Sequence, residues 1–453
     1  MRKSHRNTYI ISLSLVLTWT ACSKEFLDVK PQKQQVVVET LQDVNALLDN
    51  AEVLNRTDYF RLISDGDLTF TENKLKSVSE LQRNLYLWNR IIDPTGKNTS
   101  PWDLPYQQIM YVNVAMETLD AMNNYGNDRS LWQRLYSSAL FYRAWAHYQL
   151  LQDFAPGFNN GSDQLGVPII ADSKYPKLIQ RATLTECYDF IINDLTRAIS
   201  ELPLKTDIKT RPSKQAAHAL LARIYQNQHQ HDLALVEVNK ALDIDHHVLD
   251  YNDLNFSAAF PFSMFNYHTN PEIIFFTNAG LSLVSVAGVQ VADDLLSSYR
   301  ENDLRVKALF DRNKLYIGTY SGNSLYHFTG LAIDELYLVK AESLMRTNRW
   351  KEGIEVLEVL LKKRYKNGLL PTFTPHDDQE ALSLILNERH KELVGRGTRW
   401  SDLKRQNLET ATQIDLTRTY LNETFLLPAN SNRYVFEIPQ TEIEISGIEQ
   451  NIR

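Results

Sequence analysis

The densest run of ionisable residues in the chain is "NERHKELVGRGTRWSDLKR", Asn387 to Arg405, where nine of 19 residues are charged. Glu388 and Glu392, four apart, share one face of a helix, with Arg389 one position round. Paired carboxylates flanking His390 have the composition of a proton-transfer site. The arginines in the same stretch argue against that use. Guanidinium groups hold neighbouring carboxylates ionised as bidentate partners, whereas a general acid must keep its proton near neutral pH. Glu388, Arg389, Glu392, Arg399, Asp402 and Arg405 are therefore expected to form a structural ion-pair lock joining the last helices to the body. No catalytic residue is assigned.

A second chemistry is carried by aromatic side chains. The chain has 22 Tyr, 18 Phe and 7 Trp, more aromatic surface than a core alone uses. Flat rings stack on the C–H faces of sugars while nearby polar groups satisfy hydroxyls. Trp88 with Arg90, the pair Asp65 and Asp67, Tyr267, and Tyr320 with Asn323 are the candidate ligand-binding residues. Trp102 with Asp103 offers the same pairing, while Trp132, Trp145, Trp350 and Trp400 fall in helical patterns or in the charged segment and are assigned to structure.

Other chemistries lack their signatures. HExxH, CxxC, GxGxxG, GxSxG and the phosphate-binding P-loop are all missing from the sequence. The motifs "DGD" (65–67) and "DIDHH" (243–247) do not have the ligand spacing of a calcium loop or a zinc site. The first leaves room for no more than a weak calcium site, and no cofactor is expected. The formal net charge is −7. Without Arg2, Lys3 and Arg6 of the leader it falls by three, to −10. A nucleic-acid partner, which needs a basic face, is not expected.

That leader, "MRKSHRNTYIISLSLVLTWTAC", pairs a basic start with an apolar run too short to span a bilayer, which takes about 20 residues. It reads as a signal peptide over 1–21, with Cys22 as the lipidated N-terminus and 22–34 as a tether. With Cys22 acylated, Cys187 has no disulfide partner. Its amphipathic surroundings predict a packed, inert thiol.

The elements that must position these residues are mostly helical. "LYSSALFYRAWAHYQLLQDF" (135–154) carries an apolar stripe through Leu135, Ala139, Tyr142, Ala146 and Leu150. Thr183 with Glu186 opens another helix as a capping box, and Pro203 lies beyond its end. Ala222, Tyr225, Ala234, Val238 and Ala241 fall at the spacing of a tetratricopeptide helix pair. The spacing recurs at Ala341, Leu344, Gly353, Leu357 and Leu360. Small residues there let two antiparallel helices approach closely. Residues 55–105 and 245–330 break this pattern and read as irregular insertions, with "PEIIFFTN" a short strand and "LYIGTYSGNSLYHF" a hairpin. The expected fold is mainly α, a tetratricopeptide-like scaffold with long loop insertions and a few short strands. Helix pairs are expected at about 106–152, 184–243 and 331–366, with a C-terminal segment over 380–453.

In their order, several stretches resemble the SusD/RagB family of outer-membrane nutrient-binding lipoproteins. They are Cys22 followed by "FLDVKP", "WDLPYQQIMYVNVAMETL", "ALFYRAWAHYQLLQDFAPG" leading to "LGVPII", and "RPSKQAAHALLARIYQ". "DELYLVKAESLMRTNRWKEGIEVLEVLLKKR", "FEIPQTEIEI" and the charged segment complete the series. In the last, Glu388, Arg389, Glu392, Leu393, Gly397, Arg399, Asp402, Leu403 and Arg405 match the family pattern, while Arg396 stands where that pattern has an acid. The resemblance implies a SusD-like body over 35–453, anchored by lipid to the outer membrane and facing outward. Such a body captures an oligomeric nutrient, most often a glycan, and passes it uncleaved to a SusC-like TonB-dependent transporter. A peptide ligand, a hydrolase acting on the same nutrients and a protein–protein repeat scaffold are the alternatives.

Overall fold

The computed structural model describes residues 38–122, 128–159, 163–174, 180–279, 287–323 and 326–453. Cys22, the leader and the tether lie outside them. Residues Thr40–Arg453 form one unit, built by helices that pack as antiparallel neighbours. The first pair is α1 (Ser100–Ala121) and α2 (Arg129–Phe154). Pro101 in the first turn of α1 starts the helix with a residue whose fixed φ suits that position. Ile109, Val112, Met116 and Leu119 then make its buried face.

From Ala139 to Phe154, α2 is buried all round, polar residues included. It is the central post, covered on one side by α1 and on another by α3 (Leu184–Ala198). Arg143 of α2 reaches Asp194 of α3 with two hydrogen bonds of 2.7 and 2.9 Å. The predicted capping box at the start of α3 is present. Thr183 Oγ1 accepts from the Glu186 amide at 3.2 Å, and Glu186 Oε2 accepts from the Thr183 amide at 2.9 Å. Cys187 is buried behind that cap with its thiol pushed up to about 11 by burial, so it is an inert thiol.

Next come the two helix pairs that carry the repeat spacing, α4 (Lys214–Asn227) with α5 (His231–Ile244) and α6 (Ile333–Arg346) with α7 (Trp350–Leu361). Ala222, Ala234, Val238 and Ala241 are fully buried. At Gly353 an added Cβ would lie 2.7 Å from the backbone oxygen of Ala341, which is why that position of α7 is Gly. The chain continues through α8 (Asp378–Glu392) and α9 (Arg399–Gln406). Among the described residues, no helix is long and apolar enough to cross a membrane.

The strands are short. In chain order they are β1 (Leu68–Phe70), β2 (Ile273–Phe275), β3 (Val289–Val291), β4 (Leu331–Ala332), β5 (Leu416–Tyr420) and β6 (Glu423–Leu427). They form three antiparallel two-stranded ladders, β1 with β3, β2 with β4, and β5 with β6. The first ladder joins the two irregular insertions, with Leu68 opposite Val291 and Phe70 opposite Val289. Asn55 and Asn278 tie them again, the Asn278 amide donating to the Asn55 carbonyl at 2.9 Å. The predicted strand in "PEIIFFTN" is β2. In place of the predicted hairpin in "LYIGTYSGNSLYHF", the described residues of the stretch bridge outward, Tyr316 to Phe310 and Phe328 to Asn278.

Candidate functional site

The charged segment folds into α8 and α9, and its carboxylates are enclosed by cations. Glu388 Oε2 lies 2.6 Å from Arg305, and Lys391 of the same helix meets its other oxygen. Glu392 is shared by Arg364 at 2.6 Å and Arg305 at 3.2 Å. Arg364 continues to Glu272 at 2.8 Å. Asp402 of α9 gives one oxygen each to Arg389 of α8 and Arg405 of α9, at 2.8 and 3.3 Å, and Arg405 also binds Glu342 at 2.5 Å. These groups are all buried. The arrangement thus draws in Glu272, Arg305, Glu342 and Arg364, which the sequence reading did not include. Their signal was a lone charge inside an apolar run, as Glu272 is in "PEIIFF".

Arg399 corrects the expected set. Both oxygens of Asp402, its neighbour one turn on, are already occupied, and no hydrogen bond or ion pair joins the Arg399 side chain to any described residue. It lines a pocket instead.

Four of the expected ligand-binding residues are interior. Trp88 is 2% exposed; its Nε1 donates to the Ser64 carbonyl at 2.8 Å and the Arg418 guanidinium covers its ring at 4.3 Å. Asp65 and Asp67 are buried beside it. Asp65 Oδ1 accepts from the Asp67 amide at 3.0 Å, and Asp67 Oδ1 meets His390 Nε2 at 2.6 Å. Burial and the neighbouring Asp67 raise the Asp65 carboxyl well above its usual range. No group of three metal-ligating side chains forms there or elsewhere among the described residues.

Tyr320 is 1% exposed, its hydroxyl 2.6 Å from Glu272 and 3.0 Å from Asp334. Arg396, the departure from the family pattern, lies over its ring at 4.4 Å and binds Asp334 at 3.2 Å. Each insertion turns its rings inward: Trp88 and Tyr86 pack about the Arg418 guanidinium, and Tyr320 packs with Phe262 and Phe328. Tyr267 is half-buried and stacks on Phe276 with centroids 4.2 Å apart. The stack runs inward through Phe328 to Tyr320. Arg90 is exposed and Asn323 half-buried, so neither is removed from solvent.

Among the described residues, two of the surface clefts reach ligand size. The larger, about 460 Å³, lies between the turn 91–98 and the segment 436–440. Phe60, Pro101 and Phe436 contribute its apolar surface, Phe60 and Phe436 meeting edge to face at 5.7 Å. Its walls are held by hydrogen bonds. Asp93 accepts from the amides of Thr95 at 3.0 Å and Asn98 at 2.6 Å, fixing the turn. Glu437 Oε2 accepts from the Ile92 amide at 3.0 Å, and Gln450 brackets Ile438 with two bonds of 2.8 Å. Behind the cleft, Asp58 accepts from the Phe60 amide and from Ser100 Oγ, both at 2.7 Å, and burial lifts its carboxyl to about 7. Ile91, Asn98 and Gln440 stand at the lining. The sequence reading missed these residues. Their signal was "IIDPTGKNTSP", a run of turn formers that marks a shaped loop rather than a core.

Antiparallel helix pairs carrying two knitted insertions and ligand-sized clefts define a helical-repeat scaffold protein. Residues 25–226 match a family model described as starch-binding associating with outer membrane, and residues 317–451 match the model of the SusD family. The chain belongs to the SusD/RagB family. Solved structures agree in fold. A SusD superfamily protein from Bacteroides thetaiotaomicron VPI-5482 is similar at a TM-score of 0.76 and 20% identity, over 91% of this chain and all of that one. A SusD superfamily protein from Bacteroides vulgatus ATCC 8482 is similar at 0.71 and 20%, over 91% of this chain and 99% of that one. A SusD-like carbohydrate binding protein from the same organism is similar at 0.69 and 19%, over 90% and 97%. No curated protein matches the chain significantly.

Proposed function

We propose that this protein is a cell-surface lipoprotein, acylated at Cys22, that binds an oligosaccharide and delivers it intact to a SusC-like TonB-dependent transporter. The observation that carries this reading is the 460 Å³ cleft in a chain of this family. Its volume falls in the range of small-molecule sites, about 300–1,000 Å³. Apolar floor and amide-bearing rim together suit sugar rings, whose faces are apolar and whose edges carry hydroxyls. The binding residues assigned are Ile91, Asn98 and Gln440, with the exposed Arg90 beside Ile91 as an outlying contact. Phe60 and Phe436 shape the floor. The absence of catalysis is supported by the charged segment, where Glu388 and Glu392 face guanidinium groups and no substrate-accessible space. Calorimetric titration with a panel of neutral oligosaccharides tests the reading. One of them should bind and be recovered uncut, and Gln440→Ala with Asn98→Ala should weaken it at least tenfold. Recovery of shorter fragments would favour the hydrolase alternative.

A further inference from the structure

The second cleft, about 360 Å³, lies between α8, α9 and the turn 411–414. Arg399 lines it at 8% exposure. Every other buried arginine among the described residues has an oxygen partner. Arg61, Arg143, Arg223, Arg305, Arg364, Arg389, Arg396 and Arg405 meet carboxylates. Arg418 donates to the carbonyls of Tyr86, Ile63 and Leu68. Arg399 has none, and Thr398 Oγ1 before it is orphaned as well. Its Nε is buried without a partner while the rest of the group lines the cleft, so the fork stands open to an oxygen ligand from outside the chain. Asp65 feels the Arg399 charge, but no hydrogen bond or ion pair joins the two, and burial with the neighbouring Asp67 raises its carboxyl. Asp67 is engaged by His390.

The shape of the group that would fill this position follows from the donor. A planar guanidinium fork matches a carboxylate through two parallel hydrogen bonds. Around it the lining is amide-rich, with Gln379, Asn387 and Gln413 exposed and Gln406 buried. Amides donate to and accept from hydroxyls, and they do not repel an anion. Carboxylate plus hydroxyls is the chemistry of a uronic acid. We propose that this cleft is a second ligand site, taking an acidic sugar unit of the bound glycan with its carboxylate on Arg399. The proposal rests on the reading of the protein as a glycan binder.

Calorimetry on the full chain at low salt, with sodium glucuronate and glucose as probes, decides it. Glucuronate should bind at least tenfold tighter than glucose. Asn387→Asp, an exposed substitution that sets a negative charge on the rim, should weaken glucuronate at least fivefold, and Arg399→Gln should abolish it. Ser383→Trp, also exposed and lining the cleft, should block it sterically. Because Arg399→Gln can disturb folding, the two surface variants stand as independent arms. Equal binding of the two sugars, no binding of either, or indifference to both surface variants overturns the proposal. Acetyl-dialanine bound as tightly as glucuronate overturns the sugar assignment in favour of a peptide carboxylate. Neutral oligosaccharide binding to the Asn387→Asp variant separates the two readings. If it persists while glucuronate fails, only the acidic site is lost; if both fail on wild type, the glycan reading itself goes.

Discussion

Arg364 Nε lies 2.6 Å from Glu392 Oε1 with both side chains out of reach of solvent. The same guanidinium binds Glu272 at 2.8 Å and the Leu249 carbonyl at 2.7 Å, and covers the ring of Tyr251 at 4.0 Å. One cation thus links the insertion 245–330, the chain just after α7, and α8. Removing it takes the cation from buried Glu272 and leaves Glu392 with Arg305 alone. Arg364→Met should therefore lower stability by about 3–5 kcal/mol, the cost of an uncompensated buried charge. Adding Glu392→Gln should recover part of that loss. Urea midpoints of the two single variants and the double variant measure it; strictly additive losses would mean the pair is not coupled.

Gly353 offers a case where local and tertiary preferences oppose each other. Ala at that position would improve intrinsic helicity by about 1 kcal/mol. Its Cβ would also press to 2.7 Å on the Ala341 backbone oxygen, and overpacking against backbone costs about 1–3 kcal/mol. The steric term wins, because the backbone of α6 cannot rotate away as a side chain could. Gly353→Ala is expected to melt several degrees below wild type, while Ser383→Ala, exposed on α8, leaves the melting temperature within error. A rise on Gly353→Ala would show that the two helices can separate freely.

How far the sequence revealed this molecule depends on the range of each signal. Capping by Thr183 and Glu186 and the small-residue spacing of α4 to α7 are local, so they were readable. The charges of α8 and α9 were visible too, but not all their partners. Arg305 is 83 residues from Glu388, and nothing in a single sequence ties them. The insertions were harder still. Lacking periodicity, they gave no inside or outside face, and Trp88 and Tyr320 are covered by cations far away in sequence, Arg418 over the first and Arg396 over the second. Arg399 is the instructive miss. Its spacing matched a lock, yet Asp402 was already saturated by two other arginines.

Trp88 is accordingly predicted to matter for stability. It is held at a positive φ of 53°, a conformation seldom adopted by bulky side chains, so the surrounding packing must determine it. Trp88→Ala would delete the hydrogen bond to Ser64 and leave Arg418 without one of its rings, costing about 3–5 kcal/mol. Its effect on oligosaccharide affinity, measured on the fraction that remains folded, should be under twofold. A tenfold loss of affinity with unchanged stability would return Trp88 to the binding site.

His147 makes the stability depend on pH. The ring is buried in α2, with Nδ1 2.9 Å from the Arg143 carbonyl and Nε2 3.4 Å from the Ile170 amide. A carbonyl only accepts and an amide only donates, so Nδ1 carries the proton and Nε2 is bare: the neutral ring. Burial lowers its pKa to about 4, and the Arg143 charge on the same helix adds to the effect. The unfolded chain protonates at about 6.5. Below that pH the unfolded state therefore binds a proton that the folded state refuses. Stability from this group is complete above pH 6.5, declines as pH falls, and levels off below 4, a loss of about 3 kcal/mol for a gap of this size. Other buried acids titrate in the same window, so the quantity to follow is the difference between wild type and His147→Gln. That difference should shrink by about 3 kcal/mol between pH 7 and pH 4 in urea titrations. A difference constant across that range would mean the ring is charged, or solvated, in the folded protein.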